Sequence, residues 1–427
     1  MQSFSRRTFL KGVAATTCGS CVHAVSPLSK GGFIAWAGPQ LPAGALGPNP
    51  LLFIVNLDGG CSYNITPIYA GAWRDRNPTI SYGPESSIPL TGEQGLHPSL
   101  TGLKPVWDQG NLAVLNLVSL NDRTGVTRSH ADGADVRLMG ITNIPEVRAH
   151  ITPGWVVNLS AYFGEAFSGV TINSSRSSLM GGTNPPLSIT GLDTLGEQAV
   201  FSQEVGDWTK FTRSAILSAG GAPESANQAM VRNTMVGVDN AFAELGRQIA
   251  PVTLPAIANP FDVSQDASGF ITACRDAARL AITSSLRVRF IYLEHRGFDT
   301  HGKELAPLKD LLDTLNKGLT PLIQTLKAAG RWNDTIITTI SEFCRTKQNQ
   351  SGGSDHGAAG PTLVMGGKVK GRQVNPTPTA AQINAYDYFL DTDIDFRSVF
   401  YEIIAAMGPS PDSIFPYRFV PKPLGLF

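Results

Sequence analysis

Between Val288 and Ile340 the chain passes from a short apolar run, through a leucine-periodic stretch, into a second run that is β-branched throughout. Leu305, Leu308, Leu312, Leu315, Leu319, Leu322 and Leu326 fall on one face of a long amphipathic helix, for which Gly330 is a stop. Val288–Leu293 and Thr335–Ile340 have the length and side chains of buried strands. Strand, crossover helix and strand define parallel neighbours in one sheet, with a preferred hand. Apolar runs at Leu51–Asn56, Leu112–Val118 and Thr362–Met365 predict further strands. Helical patterns cover Ser99–Trp107, a stretch starting at Ser129, Ser268–Leu286, and Phe396–Met407 behind an Asp395 cap. The alternation predicts an α/β fold, a mostly parallel sheet with helices on both faces.

The same segment carries most of the chemistry. Asp299 and His301 lie one residue apart after a strand, so in extended backbone both can reach one cation. Glu342 follows the next strand, and Asp355 and His356 sit in the Gly-rich stretch 349–360, which reads as a flexible loop. Asp58 ends the first strand ahead of Gly59 and Gly60; it is either a ligand or a turn cap. Carboxylates and imidazoles at strand ends predict a divalent metal, Zn first, with Mn, Fe, Ca or Mg as alternatives. Ser129, after a strand and at a helix start, sits where free N–H groups favour a nucleophile or simply an N-cap. His130 has the same ambiguity. Arg128 and Arg345 are candidates for clamping a phosphate or sulfate, or for ordinary ion pairs.

The N-terminus reads SRRTFLK, then an acid-free, mildly apolar stretch with Ala35-Trp36-Ala37 as a cleavage motif. It resembles a twin-arginine export signal. The expected organisation is a signal over 1–37, a linker over 38–50 and one catalytic-type domain over 51–427, with 151–265 as a cap or insertion. That insertion includes helical patterns at Trp155–Phe163 and Ala226–Ile249 and a β-like GVTIN at 169–173. The expected location is periplasmic or secreted, with the export machinery as a partner. The 34 basic and 34 acidic side chains give no basic excess, which disfavours nucleic acid as a partner. No other apolar run is long enough for a stable membrane span. Of five cysteines, Cys61, Cys274 and Cys344 remain after cleavage, so at most one disulfide forms.

The motifs RRTFLKG, LDGG, LHPSL, RSH, GFDTHG, SEFCRT, SGGSDHG, MGGKVKG and DTDIDFRSV occur in this order. Together they resemble the exported family called domain of unknown function 1501, of the alkaline phosphatase/sulfatase-like superfamily, across roughly 50–425. The resemblance implies a three-layer α/β/α sandwich and a metal-dependent hydrolase of phosphate or sulfate esters, small-molecule or glycan. It implies metal ligands at Asp58, Asp299, His301, Glu342, Asp355 and His356, with Ser129 where the nucleophile sits. The chain departs from the family pattern at Cys61 and Cys344, and Phe343 stands where a two-metal phosphatase offers His. These departures keep open a second expectation, a catalytically inactive exported binding or surface protein on the same fold.

Overall fold

The computed structural model describes residues 44–120, 128–149, 152–165, 167–174, 176, 179, 185–193, 240–385, 390 and 392–427. The export segment 1–37 and residues 226–239 of the expected helix 226–249 lie outside the described residues; 240–249 are helical. Ten strands position the site: β1 Leu51–Asp58, β2 Leu112–Ser119, β3 Gly169–Ile172, β4 Leu187–Ile189, β5 Phe290–Arg296, β6 Thr335–Ile340, β7 Arg345–Gln348, β8 Ser354–His356, β9 Gly360–Met365 and β10 Ile394–Asp395. Eight of them form one sheet in the order β10-β2-β9-β6-β1-β5-β3-β4, and β7 and β8 make a separate hairpin.

Alternating side chains of β1 explain why both faces of the sheet are covered. Leu51, Phe53, Val55 and Leu57 join the core packed by α3 (Phe270–Ile282) and α4 (Leu305–Ala328). Leu52 and Ile54 join the opposite core, packed by α1 (His130–Met139), α2 (Trp155–Phe163) and α5 (Phe396–Met407). A strand buried on both faces is rich in apolar or β-branched side chains along its whole length, which is how β1 reads up to Val55 and β6 throughout. The result is the three-layer α/β/α sandwich.

β1 lies between β5 and β6 and is parallel to both. Asp58 is level with Arg296, and Asn56 with Ile340. The three carboxyl ends therefore open on the same edge, and the segments leaving them meet there. β9 runs antiparallel to both β2 and β6. The connection from β6 contains only a hairpin, and a parallel return needs a crossover over the sheet.

Two expectations change. Residues 349–360 are not a flexible loop: β7 and β8 pair antiparallel around a turn in which the Asn349 side chain accepts from Ser351 N (2.9 Å) and Gly353 N (3.1 Å). Asparagine organises such turns by bonding the backbone ahead of it. The insertion 151–265 contributes β3 and β4 to the main sheet, parallel to β5, as well as α2 on one face.

Candidate metal centre

Two glycines let the loops converge. Gly59 (φ +123°) and Gly60 (φ +115°) occupy backbone that side chains rarely adopt. A Cβ on Gly59 would lie 2.2 Å from Asp299 N, and one on Gly60 would lie 2.5 Å from Arg345 Cδ. The turn leaving β1 is thus pressed against both the Asp299 loop and β7. The buried Phe298 anchors the loop after β5, and its N–H donates to Asp58 O at 3.0 Å. After β6, Ser341 Oγ donates to Leu57 O (2.8 Å) and fixes where Glu342 leaves the sheet.

Three imidazoles meet at Asp299. His301 Nε2, His356 Nε2 and His130 Nε2 lie 3.1, 3.3 and 3.4 Å from Asp299 Oδ1. His301 Nε2 and His356 Nε2 are 2.9 Å apart. The far nitrogens explain the arrangement. His130 Nδ1 faces Glu342 Oε1 (2.6 Å), His301 Nδ1 faces Asp355 Oδ1 (2.8 Å), and His356 Nδ1 faces the Arg128 carbonyl (2.7 Å). All three partners are acceptors, an arrangement that favours the proton on Nδ1 of a neutral ring and turns the Nε2 lone pair inward. Lone pairs that converge on one another and on a carboxylate repel unless a cation or a proton lies among them. His130, Asp299 and His356 each offer a ligand atom, all within 4.8 Å of one another, and His301 adjoins them. This donor set fits a divalent cation, with nitrogen and oxygen ligands and no thiolate.

The charges around the site are partly compensated. Arg345 Nη2 donates to Asp299 Oδ1 at 2.9 Å. Burial pushes the Asp299 carboxyl up, but Arg345, His301 and His130 outweigh it and hold the group below its ordinary range. The hydrogen bond to Glu342 raises the His130 pKa against the opposing effect of burial, whereas burial lowers that of His356. Glu342 is fully buried, while Asp299 and His301 are nearly half exposed, so the cluster opens to solvent on one side. The Arg345 side chain is 1% exposed, and its Nε and Nη1 have no partner among the described residues.

The other expected site residues stand behind or beside this cluster. Glu342 and Asp355 hold the outer nitrogens of His130 and His301, and Arg128 contributes its carbonyl. Ser129 is the N-cap of α1, its hydroxyl accepting from Asp132 N at 3.3 Å. Asp58 pairs with Arg176, which also reaches Glu294 at 3.2 Å. Burial raises the Asp58 pKa, partly countered by Arg176. Sequence reading missed Arg176 and Glu304. Glu304 is fully buried and accepts from Ser62 Oγ (2.7 Å), Asn64 Nδ2 (2.8 Å) and Ser354 Oγ. It ties the chain after β1 to the hairpin that bears Asp355 and His356. An acid immediately before a leucine-rich helix reads as an ordinary helix-start residue, so no local signal marked it.

An α/β/α sandwich that gathers imidazoles and carboxylates at the carboxyl ends of its strands defines the class of this protein. Within that class, residues 257–390 match the family described as "Protein of unknown function (DUF1501)", and this segment contains the GFDTHG, SEFCRT, SGGSDHG and MGGKVKG motifs. Comparison with curated proteins yields no match. Among solved structures, the chain is similar to Ps i-CgsB in complex with k-i-k-neocarrahexaose: 10% identity, 86% of this chain and 74% of that one, TM-score 0.39. It is similar to the lipoteichoic acid synthase LtaP from Listeria monocytogenes: 11% identity, 86% and 76% covered, TM-score 0.39. It is also similar to alkaline phosphatase from the Antarctic bacterium TAB5: 12% identity, 84% and 98% covered, TM-score 0.36.

Proposed function

We propose that the chain is an exported, metal-dependent hydrolase of phosphate or sulfate esters. The observation that carries the reading is the convergence of three Nε2 atoms on Asp299 Oδ1, with every Nδ1 held by an acceptor. His130, Asp299 and His356 would hold the cation, with His301 completing the set. A divalent cation there supplies positive charge against the charge that develops on an ester's oxygens. Zn suits this donor set best, with Mn, Fe, Ca or Mg as alternatives.

The protein groups set the rest of the chemistry. Glu342 and Asp355 keep the imidazoles in one tautomer and orientation. Arg345 anchors Asp299 beside the cluster, where its charge would favour an anionic ester. Ser129 opens α1 next to His130, where the first free N–H groups of a helix stabilise an oxyanion. As nucleophile it would leave its present capping bond with Asp132 and give up its proton as it attacks. The twin-arginine resemblance supports export to the periplasm or beyond, with a small-molecule or glycan ester as substrate. Among the described residues, no helix is long and apolar enough to cross a membrane.

One observation favours the alternative, a catalytically inactive binding or surface protein on the same fold. Asp58 is engaged by Arg176, and the Ser129 hydroxyl is engaged in capping, so one expected metal ligand and the expected nucleophile are occupied. Metal analysis of the mature, exported protein beside a His301→Ala variant tests the main reading. One or more equivalents in the wild type, reduced in the variant, followed by turnover in an ester screen, supports it. A folded wild type without metal sinks the hydrolase, and a metal-loaded wild type without turnover leaves the binding protein.

A further inference from the structure

Cys61 and Cys344 lie on segments that meet only in the fold. Cys61 follows the glycine pair after β1, and Cys344 falls between Glu342 and Arg345. The two form an isolated parallel bridge: Cys61 N donates to Phe343 O and Arg345 N to Cys61 O, each at 2.9 Å. Strands bonded in this way lie about 4.7–4.9 Å apart. That spacing falls within the roughly 4.4–6.8 Å between Cα atoms that a disulfide spans. Bridge partners on parallel segments project to the same side. Accordingly, both cysteines line one small pocket of about 30 Å³, together with Arg137, Phe343, Gly360 and Phe396. Gly360 makes room there, since a Cβ on it would lie 2.4 Å from Cys344 Sγ. Both thiols are free, and each makes only a weak bond to a carbonyl: Cys61 Sγ to Pro361 O at 3.3 Å and Cys344 Sγ to Arg345 O at 3.4 Å. The third cysteine, Cys274, lies on α3 against Gly318 of α4.

We propose that Cys61 and Cys344 are an oxidisable pair, which closes to an intramolecular disulfide when the chain meets an oxidant carrying an exchangeable disulfide. One thiol loses its proton and attacks the oxidant's disulfide, forming a mixed disulfide and releasing one oxidant thiol. The second cysteine, also deprotonated, attacks the protein sulfur of that mixed disulfide and releases the other oxidant thiol. The pair loses two electrons and two protons, and the oxidant's disulfide becomes two thiols. The product ties the Gly59-Gly60 turn to the segment bearing Glu342 and Arg345, the two residues that hold His130 and Asp299. Burial pushes the Cys61 thiol up to about 12 and the Cys344 thiol up as well, so the exchange in the folded protein is slow. The proposal does not depend on the hydrolase reading.

The test uses the full chain, purified reduced and incubated folded with oxidised glutathione. Free thiols are then alkylated in denaturant, and the non-reduced peptides are mapped by mass spectrometry. The expected map shows the Cys61 and Cys344 peptides joined and Cys274 alkylated. The same linkage is expected in a Cys274→Ser variant, with a thermal midpoint several degrees above that of the reduced protein. Three results overturn the proposal: all three cysteines alkylated after long incubation, a linkage that includes Cys274, or a linkage that forms only when the protein is oxidised in urea. Because the wild type decides the outcome, it holds even if a Cys61→Ser variant fails to fold.

Discussion

Two charged clusters lie side by side at the carboxyl edge of the sheet, and they are built on opposite principles. Around Asp299, three imidazoles point lone pairs inward and their outer nitrogens are tied to acceptors. Around Asp58 and Glu294, the carboxylates are met by guanidinium groups: Arg176 bonds both, and Arg296 bonds Glu294 at 2.5 Å. The second cluster is neutralised by the protein itself. The first is met by Arg345, which donates to Asp299 Oδ1. Counting acids and histidines along the sequence treats the two clusters alike. The difference lies in what stands behind each group.

The sharpest way to break the comparison is at Asp299. Asp299→Ala and His356→Ala are each expected to take bound metal from about one equivalent to near zero by elemental analysis, with the fold retained by circular dichroism. Undiminished metal in both variants would show that the cluster is not the binding site. Glu342→Gln should weaken metal affinity by about 10–100-fold in a chelator competition, because the His130 ring loses its charged anchor. An unchanged affinity would mean that Glu342 does not orient the ring.

Glu304→Ala separates architecture from chemistry. It strands the donors of Ser62, Asn64 and Ser354 and is expected to cost roughly 2–4 kcal/mol in urea denaturation. A change within experimental scatter would remove Glu304 from the framework of the site. The smallest effect is expected at the neutralised cluster. Arg176→Ala should cost about 1–3 kcal/mol and leave metal content unaltered, since Asp58 and Glu294 only lose their counterion. The penalty also has a pH signature. Burial already raises the Asp58 pKa in the native state, so this group favours folding at acid pH and loses that contribution as pH rises through the raised value. Removing Arg176 raises it further, so the Asp58 part of the penalty should shrink on acidification and grow toward neutrality. A penalty that grows in acid would contradict that assignment.

Much of the scaffold was legible because it is written locally. The β-branched run Thr335–Ile340 is a strand over those same residues, and Asp395 caps α5 with a bond to Arg397 N. The spacing of Asp299 and His301 was informative too, since both side chains reach the same point. The direction of β9 was not legible, because an apolar hexapeptide reads the same whichever way it pairs. Nor could the sequence sort outer partners from inner ones. Glu342 and His130 are 212 positions apart, and Ser62 and Glu304 are 242 apart. Only the fold decides which end of an imidazole faces a carboxylate.

The place of β9 also bears on how the chain is made. β2 touches the rest of the sheet only through β9 and the small edge strand β10, and β9 is the piece that joins it to β6. A polypeptide emerging from the ribosome has β1, β2 and β5 in hand well before residues 360–365 exist, and β6 shortly before them. Until those residues appear, the sheet has a gap between β2 and β6, with the edges of both strands facing it. Contacts this distant in sequence close slowly, and open edges of this kind invite pairing with other chains. Synthesis arrested before Gly360 should therefore yield a protease-sensitive, chaperone-bound chain, and release beyond Met365 a protected one.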